Sequence, residues 1–280
     1  MQYLAGLLLA ALMGLRAAPP DYPALVRAYL APRLGPVGAL NVTVQPPRDA
    51  ARATTVGTIT VAIDEVDLHR LPVEAILPLP APRSPQARLE GMNVHITRGR
   101  LDRLKVSKLD VVSQGVLFDL PTALRESALR MTSAQRESVV VELRDGDLDA
   151  LAASLAPGAQ DAKVVFDQGR LVLAAQVPFL FSTLHLTISG RVAVEQGRLI
   201  VLHEAQIDSG RAKLSPEMRA ALLARLNPLI DLDKTLGFPL PMRWNAVECG
   251  QGWCRLSGQP LDVELPTPPS EFDPRARYLR

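Results

Sequence analysis

Apolar and polar residues alternate strictly along one stretch of this chain, Thr183–Val194. The aliphatic side chains share one parity, whereas threonine, histidine, serine and arginine occupy the other. A period of two over this length predicts a long strand with one apolar and one polar face. Only Gly190 interrupts the apolar row, at a point where a missing side chain lets a strand bend. Such an apolar sheet face must be covered by a helix, by another sheet or by a ligand.

Further strands are predicted at Leu40–Val44 and Thr58–Ile63. Three segments place polar residues and glycine between apolar strand ends, which is typical of tight hairpin turns. These segments are Ile96–Leu101, Phe166–Leu171 and Val194–Leu199. Their recurrence predicts that much of the sheet is an antiparallel meander.

Helical patterns are fewer. Asp21–Leu34 reads as a helix capped by Asp21, and Leu148–Leu155 repeats apolar residues at helical spacing after the cap residue Asp147. A third helix begins at Ser215-Pro216, and Pro228 ends or kinks it. An apolar continuation then follows at Leu229–Leu232.

The two ends of the chain differ in composition from its middle. Residues 1–18 form an apolar leader that reads as a signal peptide, cleaved after Ala17 or Ala18, with an uncleaved anchor as the alternative. Residues 19–260 are predicted to form one α+β domain, in which the proline-rich stretch Pro72–Pro85 is a loop. Residues 261–280 form a proline-rich tail that is predicted to be disordered.

The composition excludes some partners. The net charge is +2, and the basic residues are scattered without aromatic interleaving, so no nucleic-acid partner is expected. Aromatic residues make up only 4% of the chain, whereas hydrophobic residues make up 48%. This aliphatic interior suits alkyl chains, and it equally suits an ordinary protein core.

The chain has two cysteines, Cys249 and Cys254, which bracket a glycine-rich turn between two predicted strands. A hairpin brings such flanking residues within reach of a disulfide, which agrees with export. Free thiols are the alternative. A metal site is disfavoured because a lone cysteine pair without a nearby histidine offers too few ligands for zinc.

No catalytic constellation is apparent. The sequence contains no nucleophile elbow, zinc-protease motif, phosphate-binding loop or dinucleotide fingerprint. The four histidines stand far apart, and the neighbouring aspartates at Asp145, Asp147 and Asp149 read as turn and cap residues. We therefore predict no enzymatic activity, no catalytic residues, no metal and no cofactor.

Between about Gly99 and Ser257 the chain resembles the LmeA family of exported phospholipid-binding proteins, which is related to the tubular lipid-binding (TULIP) superfamily. The matching pieces are Asp147–Leu151, the Val194–Leu199 hairpin, Leu226–Leu232 and Gly237–Pro241. The Asn-Pro step within Leu226–Leu232 and the later Phe-Pro step are the most specific.

The resemblance implies an α+β fold, with a strongly curved antiparallel sheet wrapped around a long helix and an apolar groove for acyl chains between them. It also implies additional short helices and a place on the periplasmic or extracytoplasmic face of the cell envelope. The partner would be a phospholipid or other diacyl lipid, with transient contact to a membrane surface and a possible envelope protein partner. No cofactor is implied.

The groove is expected between the third helix with its continuation and the apolar side of the Leu184–Val194 strand. The residues expected to contact lipid are Leu184, Leu186, Ile188, Val192, Met218, Leu222, Leu226, Leu229 and Ile230. The alternative for Leu222 and Leu226 is that both are sealed core residues.

Three functions remain open from the sequence. The chain is a lipid carrier or accessory factor in envelope lipid maintenance, a structural module with a completely filled core, or a hydrolase acting on lipid or glycan. Bound lipid separates the first from the second, and turnover of envelope lipids separates the third. No cluster of arginine or lysine along the sequence names the lipid headgroup.

Overall fold

The computed structural model describes residues 22–48, 55–72, 86–102, 104–119, 121–122, 130–149, 152–153, 159–179, 182–210, 214–236 and 242–261. The leader, most of the Pro72–Pro85 loop, Gly237–Pro241 and residues 262–280 therefore lie outside the described residues. The described elements follow in the order α1 (Tyr22–Leu34), β1 (Ala39–Gln45), β2 (Thr55–Asp64), a 3-10 turn (Leu68–Arg70), β3 (Gln86–Leu101), β4 (Leu104–Asp119), β5 (Met131–Ser133), β6 (Arg136–Arg144), β7 (Gln160–Asp167), β8 (Arg170–Phe179), β9 (Ser182–Glu195), β10 (Leu199–Asp208), α2 (Pro216–Leu226), β11 (Ile230–Asp231), α3 (Leu232–Leu236), β12 (Met242–Gly250) and β13 (Trp253–Pro260).

The first sheet contains eight strands and curls into a half-barrel. Its strands lie in the order β1-β2-β3-β4-β6-β13-β12, and β5 pairs with the end of β4. All neighbours are antiparallel except β2 and β3, which run parallel. One face of this sheet is buried, with every second residue of the central strands pointing inward, as in Val139, Val141 and Leu143 of β6.

The helix α1 was predicted from the sequence, and it packs into the core formed by this inner face. Its residues Tyr29, Leu30 and Leu34 are buried in the same apolar cluster as the central strands. Pro32 lies in the last turn of the helix, and Gly35 follows with a positive φ of 70°. The chain then turns into β1, so that the helix lies against the edge of the sheet.

The second sheet contains five antiparallel strands in the order β11-β10-β9-β8-β7. Two of its hairpins lie where the sequence predicts them. Gln168 and Gly169 both have positive φ, 41° and 84°, as a two-residue turn of type I′ requires. The predicted strand Thr183–Val194 is β9, and Gly190 lies opposite an irregularity between His203 and Gln206 of β10.

The hairpin predicted at Ile96–Leu101 is wrong. Strand β3 continues through this segment and pairs with β4 as far as Leu101, so the chain turns only after that residue. Gly99 serves another purpose, because a Cβ at this position would lie 3.0 Å from the Leu68 side chain. The glycine therefore permits close packing of the 3-10 turn and does not reverse the chain.

The long helix implied by the family resemblance is not present among the described residues. The longest described helix is α1, with 13 residues, and it lies against the edge strand β1. The predicted helix at Leu148–Leu155 is described only in part, with a backbone hydrogen bond of 2.8 Å from Ala152 to Leu148. The carboxylate of its predicted cap, Asp147, accepts from the Arg144 N–H of the preceding strand, and the residue three positions after Asp147 lies outside the described residues.

The third predicted helix is confirmed as α2, with Ser215 as its N-cap. Its apolar continuation is not helical at first, because Ile230 and Asp231 form the short strand β11 beside β10. Asn227, at the end of α2, joins the helix to β10. Its side-chain amide donates to the Leu202 carbonyl at 3.0 Å and accepts from the Leu202 N–H at 2.9 Å, as a neighbouring strand would.

The two sheets meet where the loop after β6 reaches strand β7. The Asp145 carboxylate accepts from the Phe166 N–H at 2.8 Å, and the Asp149 carboxylate accepts from the Val164 N–H at 2.9 Å. The tip of the β12–β13 hairpin completes the joint, because Gly252 donates to the Phe166 carbonyl at 2.9 Å. Polar groups along the edge of the second sheet are thus satisfied by the first.

An acidic residue lies on the inner face of the first sheet. Glu137 has the same parity along β6 as the buried Val139 and Val141, and the buried Ser113 hydroxyl donates to its carboxyl at 3.3 Å. Burial raises the pKa of Glu137 to about 7, and the hydrogen bond from Ser113 opposes this shift only in part. The folded protein therefore holds a proton here that the unfolded chain releases near pH 4.5.

We expect Glu137→Gln to remove a pH dependence of stability. Because the pKa of Glu137 is higher in the folded state, the wild-type free energy of unfolding falls as pH rises from 4.5 to 7. The full fall is about 3 kcal/mol, so the variant is more stable than wild type at pH 8 and similar at pH 4. Urea unfolding of both proteins between pH 4 and pH 8 measures this difference in the free energy of unfolding. Glu248→Gln, at an exposed position, is the control, and parallel curves for wild type and Glu137→Gln contradict the assignment.

We expect Asn227→Ala to destabilise the protein by about 1–2 kcal/mol, because Leu202 loses both partners of its outer backbone groups. The matched control is Asn93→Ala, whose amide makes only a long contact of 3.5 Å to Thr60 and whose loss should cost about 0.5 kcal/mol or less. Thermal unfolding of both variants compares the two. Equal melting temperatures would show that Asn227 does not hold the helix to the sheet.

Candidate functional site

The apolar row of β9 is sealed in its middle and half-buried towards both ends. Ile188 in the middle of β9 is 1% exposed, and its partner Leu173 on β8 is also buried. Towards the beginning of β9, Leu186 and Leu184 have the same parity but are only half-buried. The apolar surface thus extends beyond the part that other protein atoms cover.

Neighbouring strands widen this surface. Val177 of β8 lies directly opposite Leu184, and Ile207 of β10 lies opposite Ile188. Both side chains are half-buried, like Leu184 and Leu186. We call Val177, Leu184, Leu186 and Ile207 the open apolar patch.

Helix α2 carries apolar residues that the protein does not bury. None of its residues is buried, and Met218 is 44% exposed. Leu223 and Leu226 are partly buried against the core cluster, and Leu222 is also half-buried. Neither Leu222 nor Leu226 is the sealed core residue that the sequence left as an alternative.

The nine residues expected to contact lipid fall into three groups. Ile188 and Leu229 are buried in the main core cluster, and four others pack partly buried against that cluster: Leu186, Val192, Leu226 and Ile230. The remaining three, Leu184, Met218 and Leu222, lie outside this cluster with half-buried or exposed side chains.

Sequence reasoning missed part of this surface. It named only β9 and the third helix, although the stretch Arg170–Phe179 also places Leu171, Leu173 and Ala175 at one parity. That alternation is visible in the sequence and predicts which face of β8 points inward. The helix position Leu223 was missed because the predicted stripe followed Met218, Leu222 and Leu226, whereas Leu223 and Leu226 contact the core.

The cysteine hairpin is confirmed as a hairpin. Cys249 and Cys254 are direct partners across β12 and β13, and both are thiols in this structure. The Cys249 carbonyl accepts from the Gly169 N–H at 2.7 Å, so its backbone faces the second sheet. The hydrogen bond between the two thiols lowers the pKa of Cys249 and raises the pKa of Cys254, which burial raises further.

The part of the chain that the structure describes offers neither a metal site nor a membrane-spanning helix. No group of three or more histidine, cysteine, aspartate or glutamate residues there is arranged to hold a metal ion. None of the described helices is long and apolar enough to cross a membrane.

The comparison with protein families agrees with the apolar surface. Residues 81–259 match the family described as LmeA-like phospholipid-binding. This range includes the whole second sheet, helix α2 and the cysteine hairpin. No curated protein and no solved structure matches the chain. The match covers more than half of the sequence, so the chain belongs to the LmeA-like phospholipid-binding family.

Proposed function

We propose that this protein holds the acyl chains of one phospholipid, or another diacyl lipid, on the open apolar patch, beneath or beside helix α2. The observation that carries the proposal is the change in exposure along β9, from the sealed Ile188 to the half-buried Leu186 and Leu184. A sheet face that served only as core would be covered along its whole apolar row.

The acyl chains supply the energy of binding. Burying a methylene group contributes about 0.8 kcal/mol, so ten methylenes contribute about 8 kcal/mol before the costs of ordering the lipid. Without those costs, a free energy of that size would correspond to a dissociation constant of about 1 μM. The patch must therefore cover more than ten methylenes of a diacyl lipid to bind it that tightly.

The role that follows is that of a carrier or accessory factor in cell-envelope lipid or glycolipid maintenance, without catalysis or a cofactor. The apolar leader at residues 1–18 supports export to the periplasmic or extracytoplasmic face of the envelope. Loading requires transient contact with a membrane surface, and the exposed Met218 together with Arg219 and Arg225 gives α2 the composition for it. A possible protein partner in the envelope would receive or deliver the lipid.

We expect Leu184→Gln and Leu186→Gln together to reduce phospholipid occupancy at least tenfold, because two amides are placed where alkyl chains lie. Native mass spectrometry of protein incubated with phosphatidylglycerol vesicles measures the occupancy. Both positions are already partly exposed, so the melting temperature should fall only slightly. The matched control is Thr183→Gln with His185→Gln, at exposed positions on the opposite face of β9.

Two results oppose this proposal. Wild-type protein that is folded and monodisperse, yet carries and takes up no lipid, would support the structural module with a filled core. Unchanged occupancy in the Leu184 and Leu186 variant would place the acyl chains elsewhere.

We also propose that Cys249 and Cys254 form a disulfide in the exported protein. Direct cross-strand partners have Cα separations within the range that a disulfide spans. The Cys249 carbonyl points away from β13, towards Gly169, which is the arrangement of a non-hydrogen-bonded pair with closely spaced side chains.

Thiol labelling of protein from its native compartment is expected to modify neither cysteine before reduction and both after it. The closed loop is short, so the bond should stabilise the protein by about 2 kcal/mol, measured as the loss on adding reductant. The double variant Cys249→Ser with Cys254→Ser should show no response to reductant. Complete labelling before reduction would favour the free thiols.

A further inference from the structure

A polar cleft lies at the end of the first sheet where β3 turns into β4. It has a volume of about 640 Å³ and lies between the loop after α1, the segment after β2, the end of β3 and the start of β4. Four cationic side chains line it, Arg70, Arg98, Arg100 and Lys105. Arg98, Arg100 and Lys105 lie within eight residues of one another in the sequence, a basic stretch that sequence reasoning missed, and Arg70 joins them from the 3-10 turn.

Two of these cations have partners within the protein. Arg98 forms a salt bridge with Asp64 and lies 3.9 Å from Glu65, while Arg70 lies 3.9 Å from Asp67. The bond to Arg98 lowers the pKa of Asp64, so this carboxylate is ionised at neutral pH. The charges at this side of the cleft are therefore largely balanced.

The other two cations are not balanced in this way. Arg100 and Lys105 are direct cross-strand partners on β3 and β4, so their side chains leave the same face of the sheet. Like charges in this arrangement repel, and neither side chain has an ion-pair partner among the described residues. Two neighbouring cations without a counter-ion favour an anionic ligand.

The third carboxylate of the cleft, Asp147, is held in place by other contacts. It accepts from the Ser107 hydroxyl at 2.6 Å and from the Arg144 N–H at 2.7 Å. Counting Asp64, which pairs with Arg98, together with Glu65, Asp67 and Asp147 balances the four cations, so the cleft carries no net charge. Arg100 and Lys105 remain its local positive site, and the nearby carboxylates favour a monoanion over a dianion there.

We propose that this cleft binds a singly charged phosphodiester, with Arg100 and Lys105 as its principal contacts. The planar guanidinium of Arg100 donates two hydrogen bonds to phosphate oxygens, and the Lys105 ammonium neutralises the charge. Glu65 and Asp147 accept from hydroxyl groups of the same ligand. This deepens the proposed function by naming the headgroup class, and it rests on that function where the phosphodiester belongs to a lipid.

The full chain carrying Arg100→Gln and Lys105→Gln tests the assignment. We expect at least a tenfold loss of affinity for phosphatidylglycerol vesicles, with uptake of diacylglycerol, which has acyl chains but no phosphate, unchanged. The control is Arg136→Gln with Lys163→Gln, which removes the same charge from exposed positions outside the cleft. The cleft variant should melt at or slightly above the wild-type temperature, because it loses a repulsive pair.

Soluble ligands identify the source of the phosphodiester. Wild type should bind glycerophosphoglycerol at least tenfold more tightly than the dianion glycerol phosphate, and the cleft variant should lose this preference. Binding of vesicles well above that of glycerophosphoglycerol supports a lipid headgroup, and equal binding supports a soluble phosphodiester. The assignment is overturned if the cleft variant binds phosphatidylglycerol vesicles and glycerophosphoglycerol with the same affinities as wild type.

The experiments can disprove acyl-chain binding and phosphodiester binding in the cleft independently of each other. Wild type that takes up neither phosphatidylglycerol nor diacylglycerol contradicts acyl-chain binding. In that case glycerophosphoglycerol binding that depends on Arg100 and Lys105 still supports the cleft.

Discussion

The arrangement of this molecule depends on how the second sheet is joined to the first. One part of the joint is made by backbone groups of β7 that would otherwise lack partners, bound by two aspartates and a hairpin turn. Strand β12 supplies the rest, through its contacts with β9 and the hairpins on either side of it. Asp145 and Asp149 accept from alternate N–H groups of β7, while Gly252 donates to a carbonyl on the same edge. Because an edge strand must satisfy these groups, the joint is directional as well as stabilising. It fixes which end of the second sheet is buried and which end extends away.

That geometry explains why one apolar row contains both core and surface. Phe166 and Ile188 lie near the first sheet and are sealed, whereas Leu184 is farther along the same face and is not. The sequence of β9 is equally aliphatic throughout, so its composition does not mark where the cover ends. The position of the joint decides it, and the candidate lipid site follows from that position.

The sequence predicted most strands, two of the three hairpins and the helices α1 and α2, because each depends on local periodicity or on turn residues. It failed where a distant contact determined the local structure. Gly99 was taken for a turn residue, but it makes room for Leu68. Asp145 and Asp147 do lie in the predicted turn, but the sequence did not show that Asp145 and Asp149 also bind β7. The prediction of a lipid ligand came from the family resemblance and not from the residue pattern. The same resemblance predicted a long helix, which the described residues do not contain.

Helix α2 has a further consequence for kinetics. Asn227 ties its C-terminal end to β10, yet the helix buries no residue of its own. Its opening therefore exposes little new apolar area, and it belongs to the low end of the range of local unfolding free energies. If the lipid lies under α2, as proposed above, it would exchange at a rate set by local opening of the helix, while both sheets remain intact. Slow global unfolding and rapid ligand exchange are then compatible in one chain.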